Sequence, residues 1–415
     1  MYIKNCRSCK SDDLVGVLDL GNHPWCGDFL KKEELGSENI YPLNLLQCKK
    51  CELLQLNYTV PKEVMFSNHS YLSSTTKTLK DFFSKLAKEN KKQFNLSKDD
   101  IILDIGGNDG TQMLEYQKIG FNNVSNVESA SNIANISKEN GINTINEFFN
   151  YSTVINNFKQ NSVKLINASG VFFHLEELHS VLKGIDYCLK EDGVLIIQFM
   201  YAGSMIDNKN FDTIYHEHLC LYTIKSLSYL LNQYDLEIFD AYLTDIHSGS
   251  IVAKVAKKNS DINIKTESYA NSIKYDEKYN PNLIQKFAKE ICDNRYNLKN
   301  FLNNLKAKRP DSKIYCFGAP AKGTTLLNYL DIDKSLIDKA VEVNELKIGL
   351  YLPKLHIPIS KESDQDLPDY YLLLSHNFMS EILKKKLNNI SKGLQFIIPF
   401  PEIKIINKEN INFEL

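Results

Sequence analysis

The sequence predicts an α/β protein in three parts: a small cysteine-bearing N-terminal domain followed by two Rossmann-like α/β domains. Three observations carry this. Apolar strands recur at 101–105, 124–127, 163–168 and 194–199 with helical stretches between, and such alternation builds a mostly parallel sheet with helices on both faces. A strand–glycine–helix unit occurs twice, at 101–119 and again from Lys313 to Tyr329. Two Cys-x-x-Cys pairs precede both units. The expected boundaries are 1–62, 63–258 and 259–415.

A chain of 415 residues, 43% hydrophobic and 24% charged, has room for two or three domains with ordinary cores. A net charge of -2 gives no basic face, which argues against a nucleic-acid partner. Met1 to Cys6 carries no apolar leader, and no apolar run is long enough to cross a bilayer. The expectation is a cytoplasmic protein, off the membrane, acting as a monomer or small homo-oligomer. Nine cysteines in that compartment read as metal ligands or buried thiols rather than disulfides.

In chain order, Cys6, Cys9, Cys48 and Cys51 come first. Four thiolates on a tetrahedral ion leave no position for water, so the expected site is structural zinc. A redox Cys-x-x-Cys and a nucleic-acid-binding ribbon are the alternatives; the duplication opposes the first, and the lack of a basic aromatic cluster opposes the second. Cys26 is expected to stay outside the site. After Pro61, a hydroxyl-rich stretch from Phe66 to Thr76 contains His69 and Tyr71. It reads either as a loop able to close over a ligand or as plain surface.

The central unit is Ile101-Ile-Leu-Asp-Ile-Gly-Gly-Asn-Asp-Gly110, a buried strand entering a glycine turn and then a helix. Glycine lets a ligand approach the backbone. The spacing is not the G-x-G-x-x-G of a pyrophosphate cradle. Asp104 precedes Gly106 and Gly107, and Asn108 and Asp109 precede Gly110. Carboxylates suit ammonium, hydroxyl or sulfonium groups better than phosphate. Glu128, followed by Ser129, ends the next strand, where such folds hold a ribose diol. These features point to S-adenosylmethionine (SAM), against the alternative of a ligand-free turn. Phe148 or Phe149 is placed to stack on adenine, or is plain core. His174 follows an apolar strand end.

Asp212 to His218 is polar at every position but Ile214. Three readings stay open: His216 and His218 sharing a metal, a histidine base oriented by Glu217, or a polar loop capping a helix near Thr223. A histidine near its reference pKa of about 6.5 suits base work at neutral pH. Farther on, 281–305 has a helical period, with Pro281 in its first turn. The second glycine turn, Gly318-Ala-Pro-Ala-Lys322-Gly323-Thr324, is not a phosphate loop of the Walker type. Backbone N–H groups at its helix start, with Lys322, can still hold a diphosphate; a connecting turn is the alternative.

Taken together, the paired cysteines, Tyr71-x-Ser-Ser, the 104–111 turn, Tyr215-His-Glu-His218, His247-Ser-Gly-Ser250, the 318–324 turn and Ser375-His-Asn377-Phe resemble one family. It comprises the zinc-containing, SAM-dependent C-methyltransferases of nucleotide-linked keto-deoxysugars, and the likeness spans nearly the whole chain. The resemblance implies a zinc domain, a central SAM domain and a C-terminal Rossmann-like domain that binds the nucleotide sugar. It implies that His218 is the catalytic base and that Tyr71, His174, Tyr215 and Glu217 line the reacting centre. Asp104, Gly106, Gly107, Asn108, Asp109, Gly110, Glu128, Ser129 and Phe148 then serve the cofactor. His247, Ser250, Lys322, Gly323, Thr324 and Asn377 serve the substrate. Gly170, where the family has Asn, and Ser248, where it has Gly, are departures. On this reading His218 forms an enolate, and His174 or a tyrosine hydroxyl donates to its oxygen.

Overall fold

The computed structural model describes residues 1–69, 71–246 and 249–411, with the Asn377 side chain excepted. His247 and the side chain of Asn377 therefore lie outside the described residues. The chain forms two compact units that interleave along the sequence. One comprises residues 1–15, 46–204 and 217–281, the other 16–45, 205–216 and 282–415. No helix among the described residues is long and apolar enough to cross a membrane.

Strands β1 (Leu14–Pro24), β2 (Ile40–Cys48) and β3 (Leu54–Leu56) open the chain. In the first unit follow β4 (Ile101–Ile105), β5 (Val124–Val127), β6 (Asn143–Ile145), β7 (Val163–Ser169) and β8 (Leu189–Met200). The short β9 (Cys220–Leu221) pairs antiparallel with β3. Strands β10 (Leu236–Thr244) and β11 (Ser250–Lys257) complete a seven-stranded sheet of order β10-β11-β8-β7-β4-β5-β6. Strands β4 to β8 run parallel, as their apolar alternation with helices predicts. The two remaining strands are antiparallel additions at one edge. Ile102, Leu165, Val194, Ile196 and Val252 pack one sheet face against Leu86, Met113 and Tyr116 of the covering helices. Farther up the same strands this face becomes polar, and that change places the site.

In the second unit β12 (Ile314–Phe317), β13 (Lys339–Glu342), β14 (Ile359–Lys361), β15 (Tyr370–Leu373), β16 (Gln395–Ile398) and β17 (Lys404–Ile406) form a sheet of order β14-β13-β12-β15-β16-β17. All pairs are parallel except β16 with β17. This is the doubly wound order, with its switch between β12 and β15, where ligands enter such folds. The continuous helix expected over 281–305 is two helices, Pro281–Asp293 and Asn297–Lys308. The break falls at Arg295, whose guanidinium donates to the Tyr329 carbonyl at 3.0 Å and stacks over the Tyr329 ring.

Candidate active site

The four cysteines converge: their Sγ atoms all lie within 4.8 Å of one another. Cys6 and Cys51 approach to 3.5 Å, Cys9 and Cys48 to 3.4 Å. Ligands about 2.3 Å from a tetrahedral zinc stand roughly 3.8 Å apart, so the cage fits the ion. Both pairs use the same turn. Lys10 N–H donates to the Cys6 carbonyl and Glu52 N–H to the Cys48 carbonyl, with Lys10 and Glu52 at φ 61° and 60°. Cys26 is buried outside this cluster.

At the first glycine turn, Gly106 and Gly110 take φ values of 61° and 80°, conformations that glycine adopts without strain. Gly107 has a different reason to lack a side chain. A Cβ there would come within 2.5 Å of Asn126 Oδ1 and 2.6 Å of Asp104 Oδ2. Asn126 staples the turn, accepting from Gly107 N–H at 3.0 Å and donating to the Asn108 carbonyl at 3.0 Å. Glu128 accepts from the Asn108 and Ala130 backbones. Burial pushes the Asp104 carboxyl well up, with Glu128 adding to it, and burial also raises Glu128. Ser129 donates to the Phe66 carbonyl at 3.4 Å, and Phe148 is half-buried under the Lys62 ammonium.

Asp109 departs from its expected cofactor role. It is fully buried, and its oxygens accept from Ser74 N–H and from the Thr111 backbone and hydroxyl. Backbone donors at the start of the helix Thr111–Lys118 consume it, so it holds the turn shut. Ser250 departs likewise: it is fully buried and donates to the Ile246 carbonyl at 2.7 Å, closing the turn before β11.

Residues 71–74, which the sequence favours as plain surface, close on this turn. Ser73 N–H donates to Asn108 Oδ1 at 2.9 Å, and Asn108 donates to the Tyr71 carbonyl at 3.2 Å. His69 meets Glu217, with Nε2 3.8 Å from Oε2. Tyr71 N–H donates to His69 Nδ1, which leaves the His69 proton on Nε2, facing that carboxylate. Sequence reasoning did not count His69 among the site residues; its only signal was its place two residues before Tyr71.

The histidines form one aromatic cluster. The His218 ring centroid lies 4.7 Å from Phe173 and 5.1 Å from His174, and Phe66 stands edge-on to His174 at 5.5 Å. His218 and Glu217 are 3% and 5% exposed. His174 Nδ1 lies 2.7 Å from the Glu217 carbonyl, which can only accept, so Nδ1 carries the proton. Burial lowers the His174 pKa, so the ring is neutral and its Nε2 is an acceptor. The expected donation from His174 to an enolate oxygen therefore fails on tautomer grounds. Tyr71 is 42% exposed as a residue, yet burial around its hydroxyl and then Asp109 push that group up to about 12, so it keeps its proton. Val171, three residues before His174, abuts the glycine turn: a Cβ on Gly106 would strike its Cγ2 at 2.7 Å.

In the second unit Tyr215 is half-buried, and the His216 ring packs edge-on to Tyr41 with Nε2 3.3 Å from the Pro42 carbonyl. Among the described residues the four cysteines are the sole grouping of metal-ligand type. At the second glycine turn Gly318 takes φ 85°, and Gly323 abuts Leu374, with a Cβ meeting Cδ1 at 2.8 Å. Thr324 is buried in the first turn of the helix Ala321–Tyr329. Lys322 Nζ lies 3.2 Å from His376 Nε2.

Three family models match consecutive stretches of the chain: a zinc binding domain at 6–66, a methyltransferase domain at 71–241 and a C-methyltransferase C-terminal domain at 245–401. The chain is thus a SAM-dependent methyltransferase with an N-terminal zinc binding domain. It is 28% identical over 420 residues to C-methyltransferase NovU of Streptomyces niveus, covering 98% of each chain. Among solved structures, geranyl diphosphate C-methyltransferase from Streptomyces coelicolor A3(2) aligns at TM-score 0.36 and 11% identity, covering 43% of this chain and 80% of that one. The YcgJ protein from Bacillus subtilis aligns at TM-score 0.36 and 11% identity, covering 43% and 99%.

This methyltransferase uses SAM and a structural zinc. Its first unit has unsatisfied polar atoms suited to such a cofactor. Asp104 Oδ1, Asn167 Nδ2 and both amide atoms of Gln198 are buried without hydrogen-bond partners among the described residues. Asp104 is in register with Asn126 and Asn167, and Ser169 with Gln198, so these groups share one face at the carboxyl ends of parallel strands. Orphaned groups there call for a polar ligand. Asn126, Asn167 and Gln198 were not expected from sequence, where each sits inside an apolar strand.

Proposed function

We propose that this enzyme methylates the carbon beside the ketone of a nucleotide-linked sugar, with His218 as base. The observation that supports the reading is that Ser73 and Ser74 bond to the glycine turn, while His69, whose Nδ1 accepts from Tyr71 N–H, stands 3.8 Å from the carboxylate of Glu217, next to His218. These contacts run from the first glycine turn to the neighbourhood of the buried His218.

When bound, SAM supplies an electrophilic methyl group on a sulfonium. The chain's own residues do the rest. His218 removes the proton from the carbon. His174, fixed on the Glu217 carbonyl, orients the segment that carries His218. Tyr71 donates to the oxygen that gains charge. Burial of Phe173, Glu217 and His218 excludes water, which strengthens each of these interactions. Asp104, the glycines of the first turn and Glu128 hold the cofactor. Lys322, Gly323 and Thr324 receive the diphosphate of the substrate at the start of their helix.

Mass spectrometry after incubation with SAM and a panel of nucleotide keto sugars tests the reading. The expected product is heavier by one methylene and carries the new carbon on the ring. A methyl on oxygen or nitrogen, or turnover only of substrates lacking a nucleotide, contradicts it.

A further inference from the structure

The second glycine turn contains an arrangement that diphosphate binding alone does not require. Lys322 Nζ stands 3.2 Å from His376 Nε2, and His376 Nδ1 stands 3.8 Å from Asp212 Oδ2. Asp212 is fully buried and His376 is 9% exposed. The three come from separate elements: the turn Phe211–Thr213, the helix Ala321–Tyr329 and the turn His376–Phe378. An ammonium can only donate, so His376 Nε2 accepts and the ring proton sits on Nδ1, facing Asp212. Neither carboxylate oxygen of Asp212 accepts a hydrogen bond of ordinary geometry among the described residues. A buried carboxylate beside an anion site repels the ligand unless its field acts first on a cation.

We propose that Asp212 and His376 are positioning residues for Lys322, a carboxylate–imidazole–ammonium chain that keeps this lysine charged and aimed at the substrate diphosphate. The inference rests on the reading that this turn receives that diphosphate. The electrostatics agree with the geometry. Burial drags Lys322 down to about 8 while Asp212 pulls it back up. Burial lifts Asp212 to about 6, opposed by Lys322, and lowers His376 to about 3. At neutral pH the chain is therefore carboxylate, neutral imidazole and ammonium. The other charged groups at this turn are Glu342, which accepts from Ala319 N–H, and Lys347, which donates to the Ala319 carbonyl. Phe211, Tyr329 and Phe400 pack as apolar neighbours.

The test is calorimetric titration of the full chain with TDP, UDP and inorganic pyrophosphate between about pH 7 and about pH 9, with S-adenosylhomocysteine binding as the check that each variant is folded. For the unaltered chain, diphosphate affinity falls as pH rises through the Lys322 midpoint. Lys322→Met weakens the tightest probe by about 10- to 100-fold, the range for a charge-assisted hydrogen bond. Asp212→Asn moves the fall to lower pH, because the field that holds the proton on Lys322 is gone. His376→Gln, whose Oε1 can accept from Lys322, keeps the profile, whereas His376→Leu loses affinity. If Lys322→Met weakens binding but Asp212→Asn and His376→Leu leave the pH profile in place, the chain of three is overturned and the diphosphate reading survives. If Lys322→Met binds every probe as the unaltered chain does, or no probe binds the folded protein, the diphosphate reading itself falls.

Discussion

The two glycine turns are built alike and charged oppositely. Each follows a parallel strand, β4 or β12, and opens a helix; each has a left-handed glycine at the strand end and a second glycine pressed against neighbouring side chains. The first is surrounded by acids and amides: Asp104, Asn126, Glu128 and Asn167. The second presents Lys322, with His376 and Asp212 behind it. The backbone unit offers the same concave approach in both, and the side chains around it decide what enters. A cationic, hydroxyl-rich methyl donor suits the first. A diphosphate suits the second.

The largest expected effect tests whether chemistry belongs with the first turn. His218→Asn should lower turnover by about 10²- to 10⁴-fold, with SAM affinity by calorimetry unchanged; full activity would detach the histidine cluster from the reaction. Next come matched glycine substitutions. Gly107→Ala forces Asn126 and Asp104 away and should weaken SAM by at least about tenfold, since one lost charge-assisted contact has that size. Gly323→Ala meets only the flexible Leu374 side chain, so it should leave SAM binding alone and cost about 1–3 kcal/mol of stability from overpacking, seen as a lower melting temperature. Equal effects of the two on SAM would erase the contrast.

The smallest effect is in the pH dependence. Burial raises the pKa values of Asp104 and Glu128, so in the cofactor-free fold they hold their protons to higher pH than free carboxyls do. Whatever stability this protonation gives is present at low pH and lost as pH rises through their folded values. SAM needs them ionised, so its affinity should fall as pH drops through their folded values. At the second turn the sign is opposite, with anion affinity falling as pH rises through about 8. Titration of SAM and TDP on one preparation checks both, and parallel trends would contradict the charge assignment.

The sequence showed the parallel strands best. Buried central strands are continuous apolar runs, and β4 and β5 fall where those runs do. Their alternation with helices made the topology legible, and the cysteine spacing made the metal legible. The antiparallel edge of β10 and β11 was not visible, because those strands continue a sheet whose other strands lie far back in the chain. The helix break at Arg295 depends on a carbonyl thirty-four residues away. Asp109 read as a ligand group because sequence shows a carboxylate in a glycine turn but not the backbone N–H groups it caps. His69, Asn126 and Asp212 acquire meaning only through their partners, Glu217, Gly107 and Lys322, all distant in sequence. The tautomer of His174 likewise depends on a carbonyl forty-three residues on.

The central claim is that an imidazole removes hydrogen from carbon before methyl transfer. The direct measurement uses a nucleotide keto sugar carrying deuterium at the carbon beside the ketone, incubated in ordinary water with the enzyme and S-adenosylhomocysteine, then with SAM. The account predicts that deuterium washes out in the first incubation, that the methylated product lacks it, and that His218→Asn stops both. A methylated product that keeps its deuterium would contradict it.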